Sequence, residues 1–93
     1  MLAIARAFVN DHRILLIDEP SKGLAPIVVD QVGESLLQIK DYTTVILVEQ
    51  NFHLASMVGM DYFILDDGRV VHQGAMGDLV DDQETKRRYL GIG

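Results

Sequence analysis

Two stretches of the chain are apolar without a break. Ile14-Leu15-Leu16-Ile17 runs into Asp18-Glu19-Pro20, and Thr44-Val45-Ile46-Leu47-Val48 runs into Glu49-Gln50. Runs this short suit strands better than buried helices, and they show no 3.6-residue period. They predict strands covered on both faces, as in a parallel sheet. Between them Val29, Val32, Leu36 and Ile39 recur at spacings of three and four, with Val28 and Leu37 widening the stripe. This predicts an amphipathic helix of about four turns from Pro26 to Lys40, with Pro26 suited to its first turn. Strand, helix and strand with short joints form a βαβ unit, whose crossover is expected to be right-handed.

The rest of the chain reads less uniformly. Leu2, Ile4, Ala5, Phe8 and Val9 are spaced for a helix over Met1 to Asn10, and Asn10-Asp11-His12 for a polar turn. Ser21 to Pro26 is a loop, and Asn51 suits the cap of a short helix from Phe52 to Val58. Tyr62 to Leu65 and Arg69 to His72 flank Asp67-Gly68, a pair of residues that tolerate positive φ and so predict a hairpin. Gly74 and Gly77 punctuate a turn, Asp78 to Val80 suggest a scrap of helix, and Asp81 to Tyr89 an exposed charged helix. Together these predict an α/β fold, a mostly parallel sheet with a C-terminal β-hairpin and helix, in one domain over residues 1–93.

Pro20 removes a backbone donor and closes the first strand just after its two carboxylates. In open α/β sheets the crevice beyond the carboxyl ends of the strands is where ligands bind. Asp18 and Glu19 arrive there from one strand, Glu49 and Gln50 from the other.

Composition narrows the partners. The net charge is −6 and the eight Lys and Arg form no stripe, which argues against a nucleic-acid partner. No cysteine is present, so neither a disulfide framework nor a thiolate metal site arises. No apolar run approaches the ~20 residues of a membrane span, so any membrane association is expected to go through a partner. The three histidines have no metal-ligand spacing, and Lys86-Arg87-Arg88 suits a solvated helix end.

In order and spacing, these segments resemble the C-terminal half of the nucleotide-binding subunit of ABC transporters. Ile14 to Pro20 resembles the Walker B strand, Ser21-Lys22-Gly23-Leu24-Ala25-Pro26 the D-loop, Val45 to Gln50 the switch strand, and Tyr62 to Gly74 the late hairpin. Met1 to Ala7 looks like the helix after the signature motif. The resemblance implies a partial P-loop NTPase fold with ATP and Mg²⁺ as cofactors. Asp18 would hold the metal, mostly through water, and Glu19 would orient the attacking water as base or positioning group. Ser21, Lys22, Gly23 and Leu24 would contact a second ATPase subunit. Gln50 would stand at the γ-phosphate sensor position.

Two residues depart from the common family pattern. Gln50 stands where a His is usual, and an amide cannot carry a proton charge near neutral pH. Ala25 stands where many members have Asp. With Val-Glu-Gln-Asn at 48–51, these features are similar to the subgroup serving branched-chain amino acid importers, which urea and amide importers closely approach. The resemblance further implies membrane permease subunits as partners and a cytoplasmic, peripheral location.

No G-x-x-x-x-G-K-[ST] and no Ser-Gly-Gly signature occurs in the chain. The amide cradle and Lys of that loop supply most phosphate contacts. A C-terminal fragment without the Walker A part is therefore expected, inactive alone and needing the missing N-terminal half. In the family, the phosphate-loop strand separates the strands 44–49 and 62–65. Its loss is expected to expose edges that aggregate, form a homo-oligomer or strand-swapped assembly, or pair directly. The rival readings are a non-catalytic α/β module docking on a full-length ATPase, and a receiver-like domain lacking its later Lys and further acidic residue.

Overall fold

The computed structural model describes residues 3–9 and 12–92, with side chains from Ile14 to Ile92. The chain divides into two compact units, Met1–Val58 and Gly59–Gly93.

The first unit is built on the expected βαβ core. Strand β2 (His12–Asp18) pairs in parallel with β3 (Thr44–Val48), Leu16 opposite Ile46 and Asp18 opposite Val48. Helix α1 (Pro26–Ile39) connects them, and α2 (Phe52–Val58) follows β3. Pro26 occupies the first turn of α1, where its missing N–H leaves no hydrogen bond unmade. Asn51 Oδ1 accepts the Leu54 N–H at 3.1 Å and so caps α2. Ile17, Val29, Leu36, Leu54 and Val58 form the buried core, with Leu15, Val45 and Leu47 packed against it.

Strands β2 and β3 are covered on one face only. Alternation sends Leu15, Ile17, Val45 and Leu47 to the helices and Ile14, Leu16, Ile46 and Val48 to the other side. Ile17 is 4% exposed, whereas Leu16 is 39% and Ile46 48% exposed. The expected covering of both faces is thus corrected. Both helices of this unit pack on the same side, and nothing within these residues shields the other.

The expected helix over Met1 to Asn10 is also corrected. Residues Ala3–Val9 form strand β1, antiparallel to β2 from Ala3 opposite Asp18 to Val9 opposite His12. Without β1, that edge of β2 would present unpaired N–H and C=O groups from every second residue, and pairing outweighs a weak helical preference. The expected turn at Asn10-Asp11 lies outside the described residues. The sheet order is β1-β2-β3, so one of its two ladders is parallel rather than most of them.

The second unit opens with the expected hairpin, β4 (Asp61–Asp66) and β5 (Arg69–Ala75), which make a sheet of their own. Asp67 (φ 52°) and Gly68 (φ 74°) turn the chain as anticipated. Strand β5 outruns the expected His72 by three residues, with a bulge opposite Ile64 and Leu65.

The expected charged helix over 81–89 is divided. Helix α3 (Met76–Asp81) ends at Asp82, whose carboxylate accepts the Thr85 N–H at 3.0 Å and starts a new turn (Gln83–Thr85). A wider-wound turn, Lys86–Leu90, follows and stops at Gly91 (φ 68°). Among the described residues of this unit, Tyr62, Ile64, Met76 and Leu79 are buried, and Thr85 with them.

Candidate functional site

At the carboxyl ends of β2 and β3 the backbone leaves the sheet in two short segments that are tied together. Glu19 has φ 49°, a left-handed conformation unfavourable for a residue with a Cβ. Its N–H donates to Val48 O at 2.6 Å, which extends the parallel pairing by one bond past Asp18. The chain then turns through Lys22 N–H to Glu19 O (3.2 Å) and Leu24 N–H to Ser21 O (3.1 Å). Gly23, at φ 79°, takes the one position of this loop that needs a glycine-like backbone.

Glu49 joins the two segments. Its Oε2 accepts the Ser21 N–H at 3.1 Å, and its Oε1 accepts the N–H groups of Gln50 (2.9 Å) and Asn51 (3.0 Å). Partial burial by itself raises the Glu49 pKa. The Asn51 amide, the Ser21 hydroxyl and amide and the Gln50 amide outweigh burial and hold the carboxyl below its ordinary value of 4.5. Glu49 is ionised near neutrality as an anchored acceptor.

Six residues line one open depression of about 350 Å³: Glu19, Ser21, Lys22, Glu49, Gln50 and Asn51. Of the residues singled out in the sequence, Glu19, Ser21, Lys22 and Gln50 meet here. Lys22 Nζ lies 3.9 Å from Glu19 Oε2, a loose pair near solvent. Asp18, Gly23 and Leu24 are not among the lining residues. The pleat turns Asp18 to the exposed sheet face with Leu16, and Leu24 lines a second depression with Val29, Asp30 and His53. In that second depression His53 Nε2 stands 2.8 Å from Asp30 Oδ1.

The sequence brings Glu49 to the crevice and gives it no role there. Its role consists of accepting backbone amides, one of them 28 positions away, and amide donors leave no trace in residue type. The one signal available was a carboxylate placed just past an apolar strand.

The lining chemistry can be compared with what Mg²⁺ and ATP require. Among the described residues, no three His, Asp or Glu come together as a metal site. Mg²⁺ ordinarily takes one or two carboxylates and completes its shell with water and phosphate oxygens. A single exposed carboxylate, Asp18, fits that habit as one ligand or through water. The triphosphate does not fit these residues alone, because two carboxylates and one Lys line the depression and the sequence holds no G-x-x-x-x-G-K-[ST] loop to cradle phosphate. Among the described residues, no helix is long and apolar enough to cross a membrane.

No family model matches the chain. Individual relatives do. It is 39% identical, over 98% of its length, to a high-affinity branched-chain amino acid transport ATP-binding protein of Pseudomonas aeruginosa. A probable branched-chain amino acid transport ATP-binding protein of Archaeoglobus fulgidus is 31% identical over 99% of the chain. A methionine import ATP-binding protein of Staphylococcus epidermidis is 29% identical over 96%. The chain spans 40% of the length of the first two and 27% of the third. Its homologues are ABC-transporter ATP-binding proteins, and it matches the C-terminal part of the Pseudomonas protein.

Proposed function

We propose that these residues are the water-activating portion of an ABC importer ATPase, with a P-loop NTPase fold completed by residues outside this chain. One observation carries the reading: Glu19 and Gln50, delivered by two adjacent parallel strands, open onto the same depression. Mg·ATP, when bound by the completed domain, supplies the electrophilic phosphorus and the leaving group. Glu19 accepts a hydrogen bond from water, as base or positioning group. Gln50 offers an amide that donates or accepts without changing charge. Asp18, at the end of β2, would hold Mg²⁺ directly or through water. Ser21, Lys22, Gly23 and Leu24 form a loop exposed for contact with a second ATPase subunit.

Branched-chain amino acids are the proposed solute class, supported by the names of two relatives and diluted by methionine and phosphonate importers among the others. Permease subunits and a cytoplasmic, membrane-peripheral position follow from the same reading. The 93 residues alone are expected to hydrolyse no ATP.

Supplying the N-terminal segment of the Pseudomonas relative as a separate polypeptide tests the reading. Mg²⁺-dependent phosphate release is expected from the mixture and from neither half, and Glu19→Gln is expected to remove it. A mixture that associates yet stays inert would favour the non-catalytic interaction module.

A further inference from the structure

We propose that Glu49 is a positioning residue whose carboxylate locks the segment carrying Glu19 and Ser21 to the segment carrying Gln50 and Asn51. The catalytic consequence rests on the ATPase reading above; the lock itself does not.

The geometry places two ties around Glu19. On its N-terminal side, its own amide is bound to Val48 O at 2.6 Å. Two residues later, the Ser21 amide is bound to Glu49 Oε2 at 3.1 Å. Glu19 sits between these ties with a left-handed backbone. Such a conformation persists where the surroundings over-determine it. Releasing the Ser21 tie leaves the Glu19 segment joined to the end of β3 by the Glu19 amide alone, because its bonds to Lys22 stay within the loop and move with it, and frees Glu19 to relax toward an ordinary φ and to carry its carboxylate away from Gln50.

The other end of the lock is anchored in the core. Glu49 Oε1 holds the Asn51 amide at 3.0 Å, and Asn51 Oδ1 caps α2 through the amide of Leu54, which is fully buried. A path of hydrogen bonds therefore runs from the loop after β2, through one carboxylate, to the best-packed residue of the unit. Displacement of the 19–22 loop by a partner is transmitted along it to Gln50.

The lock requires a carboxylate. Three N–H donors converge on two oxygens that both accept. In a glutamine one of those oxygens becomes an NH₂, which faces a donor and accepts nothing. The charged groups sharing the depression are Glu19 and Lys22, both from the 19–22 loop. The first turn of α2 brings no acidic residue.

Amide-proton NMR of the ¹⁵N-labelled chain as a function of pH tests the lock without nucleotide. The Ser21, Gln50 and Asn51 signals are expected to shift together with one inflection, below 4.5. In Glu49→Gln all three shifts vanish, and Ser21 amide exchange quickens by about tenfold, the effect of losing a hydrogen bond to a charged group. The Leu54 methyl signals stay in place. Glu49→Asp is shorter by one methylene. It keeps the local bonds to Gln50 and Asn51 and loses the reach to Ser21, so the Ser21 signal alone stops titrating. That variant carries the test should the glutamine variant unfold. In the complemented enzyme Glu49→Gln lowers kcat at least about tenfold with KM for ATP within about twofold, the pattern of a group that acts after binding. A Ser21 amide that ignores the inflection of Gln50 and Asn51, or keeps it in Glu49→Gln, overturns the lock. Should the titration hold while the complemented mixture shows no ATPase activity, the lock stands and the ATPase reading falls.

Discussion

The two faces of the β2–β3 sheet carry nearly the same residues and have opposite surroundings. Leu15, Ile17, Val45 and Leu47 face α1 and α2 and take part in the core. Ile14, Leu16, Ile46 and Val48, interleaved with them, stay substantially exposed. A side chain contributes to stability here through the neighbours its face finds, because burial removes apolar area from water and composition does not. Mutations can therefore separate two sets of residues that look interchangeable in the sequence.

The largest effect is expected at the closed face. Leu54 is 0% exposed, and Leu54→Ala leaves a cavity where α2 meets the core. A loss of about 2–5 kcal/mol is expected in denaturant unfolding. A loss below about 1 kcal/mol would mean that this face is no better packed than the other, which erases the contrast.

Acid is next. The Glu49 carboxyl has its pKa lowered from 4.5, since the amides it accepts outweigh the burial that opposes ionisation. For an acid lowered on folding, the added stability is complete above the unfolded value and disappears as pH falls through the folded one. Wild type is thus expected to lose stability on acidification below 4.5 more steeply than Glu49→Gln, measured by thermal melts across that interval. Parallel curves would remove Glu49 from the account.

Gly33 sharpens the comparison at the helix contact. A Cβ there would lie 2.6 Å from Met57 Sδ and 3.2 Å from Leu54 Cδ1. Alanine gains roughly 1 kcal/mol of helix propensity. The flexible Met57 end can yield, so Gly33→Ala is expected to change stability by less than about 1 kcal/mol. The smallest effect belongs to the open face. Ile46→Thr keeps a β-branched side chain at a position 48% exposed, and a change within about 0.5 kcal/mol is expected. A cost comparable to that of Leu54→Ala would show that something covers this face.

Much of this fold was legible because periodicity is a local property. The stripe of Val29, Val32 and Leu36, the capping Asn51 and the Asp67-Gly68 turn each announce an element from a few neighbouring residues, and α1, α2 and the hairpin form where expected. Strand β1 was not legible. Ala3-Ile4-Ala5-Arg6-Ala7-Phe8-Val9 suits a helix or a strand, and the open edge of β2 decides between them. Two-sided coverage failed for a related reason. An apolar run reports that both faces can be buried, while the helices available in these residues pack on one.

The site divides in the same way. Asp18-Glu19 at a strand end is visible as residue type and position, and Glu19 does reach the depression with Gln50. The turning of Asp18 to the other face follows from the pleat and was foreseeable in principle. The convergence of Ser21, Gln50 and Asn51 amides on Glu49 was not, since any residue but proline carries that donor.

Under the proposed function, Glu19 activates water for a nucleotide gripped by residues outside this chain. The most direct test is steady-state ATP hydrolysis by a single-chain chimera, the N-terminal segment of the Pseudomonas relative fused to these 93 residues. Turnover is expected in the chimera, with kcat about 10²–10⁴-fold lower in Glu19→Gln and ATP binding retained. A Glu19→Gln chimera that binds and hydrolyses ATP at the unsubstituted rate would contradict it.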